Sequence, residues 1–150
     1  MRGLIIGLAI AFSQPALSKL CTVQLSNGME IKAAVALSKA DQVKGLSGTD
    51  MAASSLIMAW TKATVRAVWM KDTHLPLTAA FIGPDGIIQS IQDMAPETET
   101  VHSSLHPVIA ILEVPRAVSE QLKWKRGQFV TYSSCFAVPA NPRVTNKNKQ

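Results

Sequence analysis

The chain has 150 residues, of which 47% are hydrophobic, and a formal net charge of +5 at pH 7. This length is enough for one domain with a substantial core. The positive charge does not indicate a nucleic-acid partner, because Arg143, Lys147 and Lys149 fall in the last eight positions and the chain has only eight aromatic side chains for stacking on bases.

Residues 1–18 have the pattern of a secretory signal peptide. The apolar run at 4–12 is too short to span a bilayer, which needs about 20 residues, and Ala16 and Ser18 place small side chains where a signal peptidase cuts. We expect a mature chain beginning at Lys19, a periplasmic or secreted location, and no stable membrane span after cleavage. The alternative is an uncleaved membrane anchor.

Two cysteines, Cys21 and Cys135, lie near opposite ends of the mature chain. An exported protein meets an oxidising compartment, so the sequence predicts that they form a disulfide; two free thiols are the alternative. We expect a single β domain over 19–138. The segment 139–150 is rich in Asn, Pro, Lys and Thr without an apolar pattern, which predicts a disordered basic tail.

Short apolar segments separated by turn residues predict a mainly β structure. Asn27 and Gly28 suit a tight hairpin turn, and Ser38 with Asp41 resembles a capping box. The polar segment 92–107 is predicted to be a long loop. The fold class is all-β with minor α, an antiparallel jelly-roll-like sandwich or barrel of about eight strands with one or two short helices. We predict strands at 21–25, 29–37, 56–60, 65–70, 78–82, 87–91, 108–114 and 128–133, and helices at 39–44 and 115–122.

Five stretches together carry a family resemblance: 40–46, 68–77, 80–82, 85–86 and 111–115. The central one reads Trp-Met-Lys-x-Thr-x-x-Pro-Leu from position 69. In this order the stretches resemble the bacterial and archaeal family called domain of unknown function 192, over roughly residues 33–130. The resemblance implies a jelly-roll-like β fold and frequent export, and it implies no agreed activity.

The chain also departs from that family pattern at four positions. It has Lys44, Ser47, Asp72 and Thr78 where members of the family tend to have Arg, Met, Asn and Asp. If the family uses the last two side chains in a site, this chain has an altered site.

The segment that runs from Trp69 through Lys71, Asp72 and Thr73 is the first candidate binding site. In one interpretation it forms the mouth of the barrel, with Trp69 as a stacking wall and polar groups beside it, as small-ligand sites are built. In the other it is architectural. The alternation within 65–70 then directs Trp69 into the core, and the polar side chains of Asp72 and Thr73 bind loop backbone groups.

Glu113 is the second candidate, because it interrupts an apolar strand. Its carboxylate is either on the solvent face or buried and paired, with Lys71 or Arg66 as partner. A raised pKa there would suit a general acid. His102 and His106 are four residues apart, but in a predicted loop that spacing has no special meaning, so no metal site is expected.

No cofactor motif is present, and the sequence favours a non-catalytic periplasmic binding or accessory module. Its partner would be a small ligand or an envelope protein. The alternative is an enzyme that acts on a small or carbohydrate-like substrate through Lys71, Asp72 and Glu113. Convergence of these three side chains in one pocket would favour the enzyme. A further alternative is a component of an envelope assembly that docks through the basic tail.

Overall fold

The computed structural model of the chain describes residues 20–48 and 55–136. The predicted signal peptide, its cleavage point and the predicted tail at 139–150 lie outside these residues. The elements in chain order are β1 (Leu20–Leu25), β2 (Glu30–Ala36), α1 (Lys39–Lys44), β3 (Ser55–Thr64), β4 (Ala67–Val68), β5 (Leu77–Ile82), β6 (Ile88–Met94), β7 (His102–Ser103), β8 (Val108–Pro115), α2 (Arg116–Leu122) and β9 (Val130–Thr131).

Seven strands form one mixed sheet in the order β6-β5-β8-β3-β2-β1-β9, and β4 pairs with β7 in a separate ribbon. The chain is mainly β with two helices, as predicted. A wholly antiparallel jelly roll is not confirmed, because β2 and β3 run parallel. Parallel neighbours need a long connection that returns the chain to the starting edge, and residues 37–54, which include α1, provide it.

The sheet curls until its two edge strands meet at one end. The amide of Ile88 donates to the carbonyl of Gln128, and the amide of Val130 donates to the carbonyl of Gly86, both at 2.9 Å. Residues 87 and 129 also form an isolated antiparallel bridge. Backbone hydrogen bonds therefore join the start of β6 to the start of β9.

Cys21 and Cys135 form a disulfide, with their Cα atoms 5.0 Å apart. This confirms the predicted pairing. β1 pairs with β9 at its far end, through Gln24 and Leu25, and the bridge ties the start of β1 to the segment that follows β9, so the first and last strands of the described domain are held side by side.

Most predicted elements are present, but the segment 65–70 is not a strand of the main sheet. Only Ala67–Val68 is extended and paired, and its partner is His102–Ser103, in the segment predicted to be a loop. The reason is that the chain leaves the sheet after β3 and runs across its face before returning as β5.

The two faces of the sheet carry different apolar clusters. One is enclosed by the curl and includes Val23, Ile57, Ile82, Leu112 and the disulfide. The other lies beneath α1 and the segment around β4. It consists of Ala36, Leu46, Leu56, Met58, Met70, Leu77, Ala79, Phe81, Met94, Val108 and Ile111. This second face positions the candidate site.

Candidate functional site

A cavity of about 590 Å³ opens on the second face of the sheet. Helix α1 and the residues after it form one wall, and the segment from the end of β3 to the turn before β5 forms the other. The floor is the end of β8 beside β5. The cavity as a whole is lined by Lys39, Gln42, Val43, Lys44, Gly45, Leu46, Ser47, Trp60, Val65, Arg66, Ala67, Val68, Trp69, Lys71, Asp72, Thr73, Leu77 and Glu113.

Glu113 lies on this floor. It is only 4% exposed, and its cross-strand neighbours are Leu56 on β3 and Ala79 on β5. Alternation along β8 places Glu113 on the same face as Ile111. Burial among these apolar groups raises the pKa of Glu113 to about 7, because desolvation disfavours the charged form.

Of the two alternatives from the sequence, Glu113 is buried and not on the solvent face, but neither suggested cationic partner pairs with it. Lys71 pairs instead with Glu99, at 3.4 Å between Nζ and Oε1, and both side chains are at least half exposed. Arg66 lies over the ring of Trp60, with its guanidinium carbon 4.3 Å from the ring centroid. Within residues 20–48 and 55–136, no ion pair neutralises the Glu113 carboxyl.

Trp69 is 50% exposed and not in the core, so the architectural interpretation of this side chain is wrong. The predicted alternation is present, since Val65, Ala67 and Trp69 are all exposed while Met70 is fully buried. The face that carries Trp69 is turned away from the sheet and lines the cavity. The Lys71 ammonium lies 5.7 Å from the centroid of its ring.

The turn at Lys71, Asp72 and Thr73 is held by backbone contacts on both sides. Asp72 adopts a positive φ of 53°, which Asp tolerates better than most residues, and its carbonyl accepts a bond from the amide of Gly48 at 2.9 Å. Thr73 is buried and donates its hydroxyl to the carbonyl of Lys71 at 3.3 Å. The turn and the end of the α1 segment are thereby joined across the mouth of the cavity.

Sequence reasoning missed the residues that α1 and β3 bring to the site. Ser38 caps the helix by accepting a bond from the amide of Asp41. One turn later, Gln42 accepts a bond from the indole N–H of Trp60 at 2.9 Å and donates to the carbonyl of Ala59 at 3.1 Å. A helix of only six residues has too short a pattern to show which side chain faces inward.

All five residues predicted as a site, Trp69, Lys71, Asp72, Thr73 and Glu113, line the same cavity. They reach it from two distant parts of the chain. Among the residues that the structure describes, no group of three or more His, Cys, Asp or Glu side chains could hold a metal ion. Within the same residues, no helix is long and apolar enough to cross a membrane.

Comparison with protein families gives a match over residues 22–132 to the family model DUF192, described as "Uncharacterized ACR". The chain belongs to the DUF192 family. The match contains every element that builds the cavity. Three of the positions at which this chain departs from the DUF192 pattern, Lys44, Ser47 and Asp72, line that cavity. A search of the curated proteins gives no match.

Two solved structures resemble this DUF192 protein. One, from Sinorhizobium meliloti 1021, is named as a candidate transcription regulator; it is 23% identical, with a TM-score of 0.74 over 80% of this chain and 98% of that one. The other, from Novosphingobium aromaticivorans DSM 12444, is named as a protein of unknown function. It is 26% identical, with a TM-score of 0.68 over 75% of this chain and 84% of that one. The first likeness, at its low identity, shows the fold alone.

Proposed function

We propose that this DUF192 protein is an exported module that binds a small molecule in the cavity beside Glu113. The observation that carries the proposal is the cavity itself, with the half-exposed ring of Trp69 on one wall and the buried carboxyl of Glu113 on the floor. Its volume, about 590 Å³, falls in the range of small-ligand sites, which combine apolar walls with a few polar groups.

The side chains suit binding because they present different kinds of contact to one occupant. Trp69 is half exposed and offers a flat apolar surface. Glu113 offers a buried carboxyl that forms no ion pair within the described residues, and a ligand that hydrogen bonds to such a group offsets the cost of its burial. A ligand that hydrogen bonds to Glu113 and stacks on Trp69 would give the buried carboxyl a partner and cover the exposed face of the ring.

Three tryptophan indoles make the proposal testable in the intact protein. Trp60 and Trp69 line the cavity, whereas Trp124 lies outside it and donates its N–H to Ser119 at 3.0 Å. Nitrogen-15 labelled protein is titrated with the low-molecular-weight fraction of a bacterial extract. We expect the indole signals of Trp60 and Trp69 to shift while that of Trp124 stays in place. The proposal would be refuted if only the Trp124 signal shifted, or if no indole signal shifted with any fraction of the extract.

Acid–base catalysis is a second candidate function, favoured by one specific observation. Glu113 is the carboxyl in this cavity whose pKa burial raises to about 7, which is close to the value that an efficient general acid or base needs at neutral pH. Lys71 and Asp72, which the sequence analysis named together with Glu113 as candidate catalytic residues, line the same cavity. Their presence in one cavity is the outcome that favours an enzyme over a binding module.

The Glu113→Gln variant separates binding from catalysis. A glutamine keeps the shape and the hydrogen-bonding capacity of the side chain but cannot transfer a proton. If the protein is a binding module, ligands found in the indole titration remain chemically unchanged with both proteins. If it is an enzyme, the wild type converts a bound ligand and the variant binds it without conversion, as followed by mass spectrometry.

Export is part of the proposal, and the disulfide supports it. Cys21 and Cys135 are paired, and such bridges persist mainly in oxidising compartments such as the periplasm. In cells that export the protein, the periplasmic fraction should contain a form that lacks residues 1–18. A full-length mass in the membrane fraction would contradict this.

A further inference from the structure

Positive charge is concentrated at the cavity. The described parts of the chain contain ten lysine and arginine residues and nine aspartate and glutamate residues. Four of those basic residues line the cavity, whereas only two of the acidic ones do, Asp72 and Glu113. The rest of the described domain therefore has more acidic than basic side chains, and the excess of positive charge lies around this opening.

Several of these cations have unused binding capacity. Lys39 and Lys44 lie on α1 with exposed side chains, and their ammonium groups form no ion pair within the described residues. The Nε–H of Arg66 is buried without a hydrogen-bond acceptor, although its guanidinium stacks over Trp60. A buried donor without an acceptor is uncommon and costly, so an anionic group near it would be stabilised.

In mildly acidic solution the acid on the floor does not cancel this charge. Burial raises the pKa of Glu113 to about 7, so the carboxyl is neutral in mildly acidic solution and carries an O–H that can donate a hydrogen bond. In that form it would donate to an oxygen of the ligand. Among the residues that the structure describes, Asp72 is then the one negative group on the wall, against Lys39, Lys44 and Arg66, while Lys71 is paired with Glu99.

The apolar side chains of the walls favour a ligand that has an apolar body. Val43, Val65 and Trp69 are exposed to solvent at 50% or more, and all three line the cavity. An inorganic ion would leave them in water, whereas a flat or apolar molecule would cover them and gain about 25 cal/mol for each Å² of apolar surface buried.

We infer that the ligand of this cavity is a small organic anion, in which a planar or apolar body carries an acidic group such as a carboxylate, sulfonate or phosphate. This inference rests on the proposed function and specifies its ligand class. The body lies against Trp69 and the apolar wall, and the acidic group lies toward the cations of α1 and Arg66.

Two fluorescent dyes with the same aromatic body test the role of charge. 1-Anilinonaphthalene-8-sulfonate carries a sulfonate, and N-phenyl-1-naphthylamine is its neutral counterpart. At about 20 mM salt, where screening is weak, we expect the sulfonate dye to bind at least about tenfold more tightly. This preference should shrink in a Lys39→Gln/Lys44→Gln double variant, while the affinity for the neutral dye stays unchanged.

A matched control removes the same amount of charge elsewhere. Lys125 and Arg126 are exposed and lie outside the cavity, so a Lys125→Gln/Arg126→Gln variant should keep the wild-type preference. If both double variants reduced the preference for the sulfonate dye equally, the inference would be overturned, because the positive charge would then act non-specifically.

The neutral dye separates this inference from the proposed function. If it binds as tightly as the sulfonate dye and shifts the indole signals of Trp60 and Trp69, the anion class is wrong and the cavity remains a ligand site. If neither dye binds at up to about 1 mM, the ligand class is also wrong, whereas the proposed function stands or falls with the extract titration.

Discussion

Gly45 lies directly against the carboxyl group of Glu113: a Cβ atom at position 45 would be 3.7 Å from Oε2. Gly45 is the residue that ends α1, and its positive φ of 54° suits glycine. The helix end thus covers the floor of the cavity. This contact contributes to the desolvation that raises the pKa of Glu113, and it links the conformation of α1 to the acid.

The stability of the protein should decrease as the pH rises from about 4.5 to 7. Burial raises the pKa of Glu113 from 4.5 to about 7, so in this interval the unfolded chain releases a proton that the folded chain retains. The stabilisation is complete below pH 4.5 and is lost as the pH rises through 7. The expected loss is about 3 kcal/mol, measured by urea unfolding at several pH values.

Glu113→Gln should remove most of this pH dependence and make the variant more stable than the wild type at pH 8. The exposed Glu120 on α2 provides the control, since Glu120→Gln should keep the wild-type profile. A wild type and a Glu113→Gln variant with parallel profiles between pH 5 and 8 would mean that the carboxyl is solvated in solution.

Trp69 and Met70 are adjacent in the chain but should respond differently to truncation. Met70 is fully buried, whereas Trp69 is half exposed. We expect Met70→Ala to lower the free energy of unfolding by about 2–5 kcal/mol and Trp69→Ala to lower it by less than about 1 kcal/mol, mainly through its contact with Lys71. Thermal melts of both variants measure this contrast.

Trp69→Ala should nevertheless weaken dye binding, because it removes apolar wall from the cavity. The indole signal of Trp60 provides an internal check that the cavity is otherwise intact. A large drop in the melting temperature of Trp69→Ala, comparable with that of Met70→Ala, would show that the ring is packed in solution.

Gln42→Ala should loosen α1 and change the environment of Trp60. The variant loses the acceptor for the Trp60 indole and the donor to Ala59, and each lost hydrogen bond costs about 1 kcal/mol. We expect a shift of the Trp60 indole signal, a cost of about 1–3 kcal/mol in urea unfolding, and weaker dye binding. Gln24→Ala, which removes a surface bond to Glu30, is the control and should leave Trp60 unaffected.

Reduction of the disulfide should destabilise the domain strongly. The bridge joins residues separated by 114 positions, and in the chain-entropy model closing a loop of this length contributes about 4–5 kcal/mol. Unfolding with and without a reductant measures the difference. A Cys21→Ala/Cys135→Ala variant should match the reduced wild type and be insensitive to the reductant; a reductant effect in that variant would indicate another cause.

The sequence predicted most strands because local patterns determine them. The hairpin at Asn27 and Gly28 and the cap at Ser38 are examples, since each depends on residues within a few positions. The direction in which β3 runs beside β2 could not be predicted, because strand periodicity carries no information on which neighbour a strand selects.

The candidate site was predicted only in part, because local patterns show which side chains share a face but not what that face contacts. Alternation established that Val65 and Trp69 share a face, but not that this face is turned away from the sheet. The isolated carboxyl of Glu113 was conspicuous within an apolar strand. Gln42 and Lys44 join it only because the crossover returns α1 over the end of β8, which is a tertiary effect.

The bond between Cys21 and Cys135 also determines how the domain responds to mechanical force. A pull applied to the chain before residue 21 and after residue 135 passes through the covalent bridge, so the 113 residues between them carry no tension. If the two ends were attached to different structures, the domain would behave as a short inextensible link. The cavity would then keep its shape under a load that would otherwise separate β1 from β9.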